Sequence, residues 1–131
     1  MANTPKKIFS DIDLDFTPNP FTKDISIKYD EDSVKRSIRN LILTGKNERL
    51  FQPEIYSGIK ELLFQNFGSV QIVTLRSRLE EMLIISEPRI TEVSVEVVEN
   101  ILDQVLEIDI SFSVRGVPDL QRLTLEIERV R

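Results

Sequence analysis

The chain has 131 residues, enough for one domain and hardly enough for two. It contains no cysteine and no histidine, which excludes disulfide scaffolds, thiol nucleophiles, Cys- or His-ligated metals and any Ser-His-Asp triad. With 17 basic against 22 acidic residues the formal charge is −5, a balance that argues against a phosphate-neutralising nucleic-acid surface.

What remains for catalysis is carboxylates, Lys, Tyr and Ser/Thr. No cofactor and no metal site is expected. No apolar run approaches the roughly 20 residues of a membrane span, and the opening MANTPKKIFSDIDLDF offers no apolar stretch for a signal peptide. The expectation is synthesis in the cytoplasm, with no membrane partner.

Residues 1–29 read as an extended arm. Residues 1–7 are polar and predict a loose terminus. Ile12, Leu14 and Phe16 alternate with Asp11, Asp13 and Asp15, which predicts a short strand with the apolar residues on one face. Thr17-Pro18-Asn19-Pro20 breaks it, because two prolines so close forbid a helix. Ile25, Ile27 and Tyr29 alternate with Ser26 and Lys28 and predict a second strand, so the arm is hairpin-like.

Residues 30–86 read as helical. Asp30 suits a cap, and Glu31 and Asp32 suit the positive end of a helix. Val34, Ile38, Leu41 and Ile42 form one apolar stripe, and Gly45 is placed to end that helix. Residues 46–56 predict an ordered loop whose Leu50, Phe51 and Ile55 anchor in the core. A short helix from Ser57 or Gly58 carries Ile59, Leu62 and Leu63 and ends near Phe67-Gly68. Ser69 suits the cap of a third helix, with Ile72, Leu75, Leu79, Met82 and Leu83 at helical spacing. Glu87-Pro88 ends it, since the residue before proline is pushed out of the α region, and on the residues alone Glu87 and Arg89 read as an ordinary surface ion pair.

Residues 87–131 read as strands. Val93, Val95 and Val97 alternate with acidic and polar residues. So do Leu106, Ile108, Ile110, Phe112 and Val114, and, after a turn at Gly116-Val117-Pro118-Asp119, Leu123, Leu125 and Ile127. Three one-faced strands in a row predict an antiparallel meander packed on the helices, hence an α+β fold in a single domain over 1–131. Such a meander has two edges, each of which offers unpaired backbone groups to another chain.

Five stretches, in order, carry a family resemblance: DIDLDFTPNP (11–20), DSVKRSIRNLILT (32–44), ERLFQP (48–53), GIKELLF (58–64) and EPRI (87–90). Together they resemble the small baseplate wedge proteins of T-even-type contractile phages. That family is also described as the sheath initiator and is often called a baseplate lysozyme. Related proteins occur in type VI secretion systems and tailocins.

The resemblance implies structural work in the virion tail baseplate, assembled in the host cytoplasm. The implied partners are other wedge proteins, the tail sheath subunit and tail tube-associated proteins. It implies that Glu87, Pro88 and Arg89 contact the helical bundle of the wedge, with Pro88 fixing the chain direction and the two charges bonding partner groups. On that reading Arg89→Ala weakens incorporation and leaves the free chain folded. It also implies a sheath-like β edge, assigned here to the last strand around Thr124, Glu126 and Glu128. Arg49, Gln52 and Pro53 are weaker candidates for a partner surface.

The alternative is a muramidase with paired carboxylates. Such an enzyme needs one carboxyl with a raised pKa, facing another across a cleft. The abundant carboxylates alternate with apolar residues on solvated faces, and there is no Trp to seat a sugar ring. Glu87, beside Arg89, has its charged form favoured. No catalytic residue is therefore assigned. A third reading, a soluble binding domain unrelated to phages, requires the motif series to be chance.

Overall fold

A strand buried on one face along its whole length forms the spine of the protein. This is β4 (Val105–Val114), in which Leu106, Ile108, Ile110, Phe112 and Val114 are all buried while the residues between them are not. A period of two is what a sheet with one face on the core requires. The computed structural model describes residues 9–13, 15–25, 27–65, 68–100 and 102–128, with 27–29 described through the backbone alone. The expected loose terminus, Leu14, Ser26 and Phe67 lie outside these residues.

β3 (Ile90–Asn100) and β5 (Gln121–Glu128) flank β4 in an antiparallel sheet of order β3-β4-β5. Val95 of β3 and Leu125 of β5 are buried beside Ile110 and Ile108. Asn100 shapes the first turn by accepting the Leu102 and Asp103 N–H groups on Oδ1. Gly116 shapes the second with φ of 86°, a conformation that glycine adopts without steric cost. The meander therefore forms where the sequence predicts it.

The helices lie on the apolar face of this sheet. α1 (Asp30–Leu43) buries Val34, Ile38, Leu41 and Ile42, the predicted stripe. α2 (Ile59–Leu63) buries Ile59 and Leu63, and α3 (Ser69–Ser86) buries Leu75, Leu79, Met82 and Leu83. These residues and the inward residues of the sheet make one core. The fold is α+β, as expected.

Several local expectations are corrected. Ser69 is the first residue of α3, and the cap position belongs to Gly68, with no side-chain cap bond. Gly45 is not left-handed. Its N–H donates to Glu48 Oε2 at 2.8 Å, and a Cβ there would meet Glu48 Oε1 at 2.8 Å. α2 stops at Leu63, short of Phe67.

The arm is hairpin-like, and the side chain it buries is a carboxylate. β1 (Ser10–Ile12) pairs antiparallel with β2 (Ile27–Tyr29), and Pro18 bridges Ile25. Ile12 and Phe16 face solvent, while Asp13 is only 2% exposed. The cause is Arg36 of α1, which pairs with Asp13 and, at 2.5 Å, with Asp15. Thr17 Oγ1 donates to the second Asp13 oxygen at 2.5 Å. A buried carboxylate with a guanidinium and a hydroxyl in place is satisfied. The arm thus docks on α1 through Asp13, with Asp15 reaching Arg36 from the exposed rim.

The loop expectation is corrected as well. Leu50 is 91% and Phe51 96% exposed, so neither anchors the loop in the core; Ile55 does, in part. Glu48 holds the loop instead, accepting from Gly45 N–H and from Lys60 Nζ at 2.5 Å. These placements separate two phenylalanines sharply. Phe112→Ala should cost about 3–5 kcal/mol in urea denaturation, because it empties a filled core site. Phe51→Ala should stay within about 0.5 kcal/mol.

Candidate functional site

Pro88 ends α3 and forces a turn before β3. The two charged residues flanking that turn meet each other. Arg89 Nε donates to Glu87 Oε1 at 2.6 Å and Arg89 Nη2 to Glu87 Oε2 at 2.7 Å. This two-pronged geometry is the strong form of a guanidinium–carboxylate contact. Glu87 is 3% exposed. Arg89 Nη1 also donates to Ser33 Oγ of α1 at 3.2 Å, and its guanidinium lies 5.7 Å from the Phe9 ring of the arm. Pro88 itself is exposed.

Burial pushes the Glu87 carboxyl up. The Arg89 hydrogen bonds, a bond from Ser37 and the Arg89 charge pull it down further, so the net displacement is below the usual carboxylate range. Glu87 also raises Arg89, which keeps its charge. The two side chains are therefore committed to each other and to α1. This replaces the expectation that Arg89→Ala leaves the free chain folded, since that change would strand a buried carboxylate.

The second set of expected residues lies on the opposite edge of the sheet. Thr124, Glu126 and Glu128 alternate along β5 on the exposed face. Thr124 Oγ1 donates to Asp109 Oδ1 of β4 at 2.5 Å.

The two sheet edges are not equivalent. The Val95 N–H of β3 turns away from β4 and donates to Glu80 Oε1 of α3 at 3.0 Å. α3 lies against β3 and engages that edge at Val95. The same bond fixes the phase of the whole sheet. Backbone groups of an antiparallel strand point alternately to its two neighbours. Val95 opposes Ile110, and Ile110 opposes Leu123. Ile110 therefore bonds towards β5, Leu123, Leu125 and Ile127 bond back to β4, and Arg122, Thr124, Glu126 and Glu128 point outward. Among the described residues, no further backbone bond takes up the outward groups of these four.

Two features were not read from the sequence. Arg78 of α3 stacks on the Tyr56 ring, with its Cζ 4.1 Å from the ring centroid, beside a pocket of about 320 Å³. The outward Leu50-Phe51 pair is the other. An aromatic in a loop carries no periodicity, so its direction had no signal.

The family model for baseplate wedge protein gp25 matches residues 28–119, from the end of β2 through the turn after β4. The chain is 32% identical to baseplate wedge protein gp25 of Enterobacteria phage T4 over 128 residues, covering 97% of this chain and 96% of that one. The chain belongs to the gp25 family of baseplate wedge proteins. The family match contains Glu87, Pro88 and Arg89, whereas Thr124, Glu126 and Glu128 lie beyond its end. A Geobacter sulfurreducens structure, provisionally described as a tail lysozyme, is similar with a TM-score of 0.67 and 26% identity, over 77% of this chain and 92% of that one. A chain in the cryo-EM structure of the anti-feeding prophage baseplate shares the fold, with a TM-score of 0.56 and 17% identity over 94% of this chain and 87% of that one.

The lysozyme description of that neighbour meets a chemical test in this gp25-family chain. A general acid needs a raised carboxyl pKa. Glu48 and Glu87 are both held down, Glu48 chiefly by Lys60 and Glu87 by Arg89 and Ser37. Among the described residues no group of three or more acidic side chains is placed to hold a metal ion, and no helix is long and apolar enough to cross a membrane.

The buried pair sets a pH dependence. A depressed folded pKa contributes stability that is fully present above the unfolded glutamate value, about 4.3, and is lost as pH falls through the folded value. Glu87→Gln should therefore cost about 3 kcal/mol at pH 7, by leaving Arg89 without its counter-charge. It should also flatten the acid limb of the stability profile below about pH 4.3. Urea denaturation between pH 7 and pH 2 reads both. A variant as stable as the parent would deny the pair its structural role.

Proposed function

We propose that the chain works as one unit over residues 1–131, as a structural part of a contractile-phage tail baseplate that joins the inner wedge and starts sheath polymerisation. The observation that carries this reading is the unequal sheet. One edge is engaged by α3 through Glu80 at Val95, and the other leaves the outward groups of β5 without a further backbone partner. Strand addition suits such an edge, because main-chain bonds supply affinity and alternate side chains fix register. The first ring of a polymer lacks neighbours, so a fixed ring that offers the same edge removes the slow step. On this reading the edge at Thr124, Glu126 and Glu128 receives the sheath subunit.

The wedge contact is assigned to Glu87, Pro88 and Arg89. Pro88 forms the exposed crest of the turn, and the Glu87–Arg89 pair holds that crest in place for other wedge proteins. Tail tube-associated proteins are the remaining proposed neighbours. Synthesis and assembly are placed in the host cytoplasm, and the mature location is the virion baseplate.

Two proline substitutions test the edge. Glu126→Pro removes an outward N–H and leaves the ladder to β4 intact, a position where an edge strand tolerates proline. Leu125→Pro removes a ladder N–H instead. The expected result is that the free Glu126→Pro chain keeps a cooperative urea transition while Leu125→Pro loses it. Particles carrying Glu126→Pro should show, by electron microscopy, baseplates and tubes without attached sheath. Fully sheathed tails would overturn the assignment of β5.

A further inference from the structure

The open edge of β5 is electrically polar along its length. Arg122 stands at one end, and Glu126 and Glu128 stand at the other. Glu126 lies directly opposite Glu107 of β4. Like charges directly opposite each other are unfavourable, so that end gains from an added cation. Arg129 and Arg131 follow in the sequence outside the described residues, and the polarity is read from Glu107, Glu126 and Glu128.

At the other end Arg122 shares an outer-face groove of about 230 Å³ with Glu96 and Asp109, and the excess of cations lies on the helix side. A groove of about 240 Å³ opens beside Leu123, lined by Asp32, Lys35, Arg36 and Arg39 of α1. Arg36 is engaged by Asp13 and Asp15. Lys35 and Arg39 have no ion-pair partner among the described residues. The cations of this end are Lys35 and Arg39 on the helix side, where Asp32 is the one acid lining the groove, and Arg122 on the outer face. Between the two ends, the partly buried Leu123 and Ile127 flank the buried Leu125 on the helix side of the sheet.

We infer that β5 selects a charge-polarised strand: apolar side chains towards Leu123, Leu125 and Ile127, carboxylates at the Arg122 end and Lys or Arg at the Glu126–Glu128 end. This rests on the strand-addition reading above and adds the chemistry of the strand. The occupant is an extended segment of a partner protein. A second copy of this chain pairing antiparallel through β5 would match Arg122 with Glu126. It would also bring the two α1 faces bearing Lys35 and Arg39 against each other, and like charges so placed repel. A bare strand brings no such helix. The charge order also fixes direction, since a strand entering the wrong way sets like charges side by side.

Three eight-residue peptides test this on the full chain at low salt. All carry valine at alternate positions. One has acidic residues in one half and basic residues in the other, one is all acidic and one all basic. Fluorescence anisotropy gives affinity, amide exchange at Thr124 and Glu126 reports the edge, and sedimentation gives the oligomeric state. The polarised peptide should bind about tenfold tighter than either uniform one, the sum of a few cross-strand charge pairs. That preference should fade at 1 M salt, where the screening length is about 3 Å. In Glu126→Lys the all-acidic peptide should overtake the all-basic one. Equal binding of all three, with the amides protected, overturns the polarity and leaves the open edge standing. No protection by any peptide overturns both readings. A dimer whose β5 amides are protected without peptide overturns the choice of occupant.

Discussion

The Glu87–Arg89 ion pair is the constraint on which the arrangement of this molecule rests. Its two residues flank the turn between α3 and β3. Its guanidinium reaches Ser33 of α1 and lies near Phe9 of the arm, and its carboxylate takes a bond from Ser37. Helical middle, sheet and arm are thus tied at one point. A buried pair of this kind is a weak source of net stability, because desolvation offsets much of its attraction. Its effect is to define the junction. An alternative packing that separates the two charges leaves one of them buried and uncompensated, so few alternatives compete.

A second pair works the same way on the other side of α1. Asp13 sits buried under Arg36, with Thr17 and the Asp15 N–H on its remaining capacity. α1 therefore carries polar attachments on two fronts, Ser33 and Ser37 towards the sheet junction and Arg36 towards the arm. Its apolar stripe supplies burial, and these groups set orientation. The arm can then turn Phe16 and Phe21 outward, Phe21 being 94% exposed.

The legible part of the fold was the part with a period. β4 alternates without exception, and α1 and α3 bury the residues that helical spacing picks out, apart from the half-buried Ile72. Which face of the arm points inward was not legible, because its pattern is symmetric. Asp11, Asp13 and Asp15 alternate with Ile12, Leu14 and Phe16, and alternation alone does not say which set faces inward. Burial energy favours the apolar set by default. The deciding term came from Arg36, 23 residues away from Asp13, which no local pattern contains. Glu87 and Arg89 were singled out by sequence, as a surface ion pair or a partner contact, but their burial against α1 was not legible. Opposite charges two residues apart around a proline are placed to pair across its turn, and that was the available signal. Leu50 and Phe51 gave none.

The exposed groups of β5 bear on a problem that open edges share. An unpaired strand edge invites its own kind as readily as its proper partner. Many sheets answer with charge of one sign along the edge. Here the edge carries both signs, so charge on the strand alone does not prevent antiparallel self-pairing. The guard lies off the strand, in the Lys35 and Arg39 face of α1 beside Leu123. On the proposed reading that face repels its own copy and admits a strand that brings carboxylates and no helix. Discrimination of this kind is a difference between two binding free energies, and repulsion of the wrong partner contributes to it as fully as attraction of the right one. If β5 takes a strand as proposed, the same few cations keep copies apart before assembly and hold the acidic end of the partner strand afterwards.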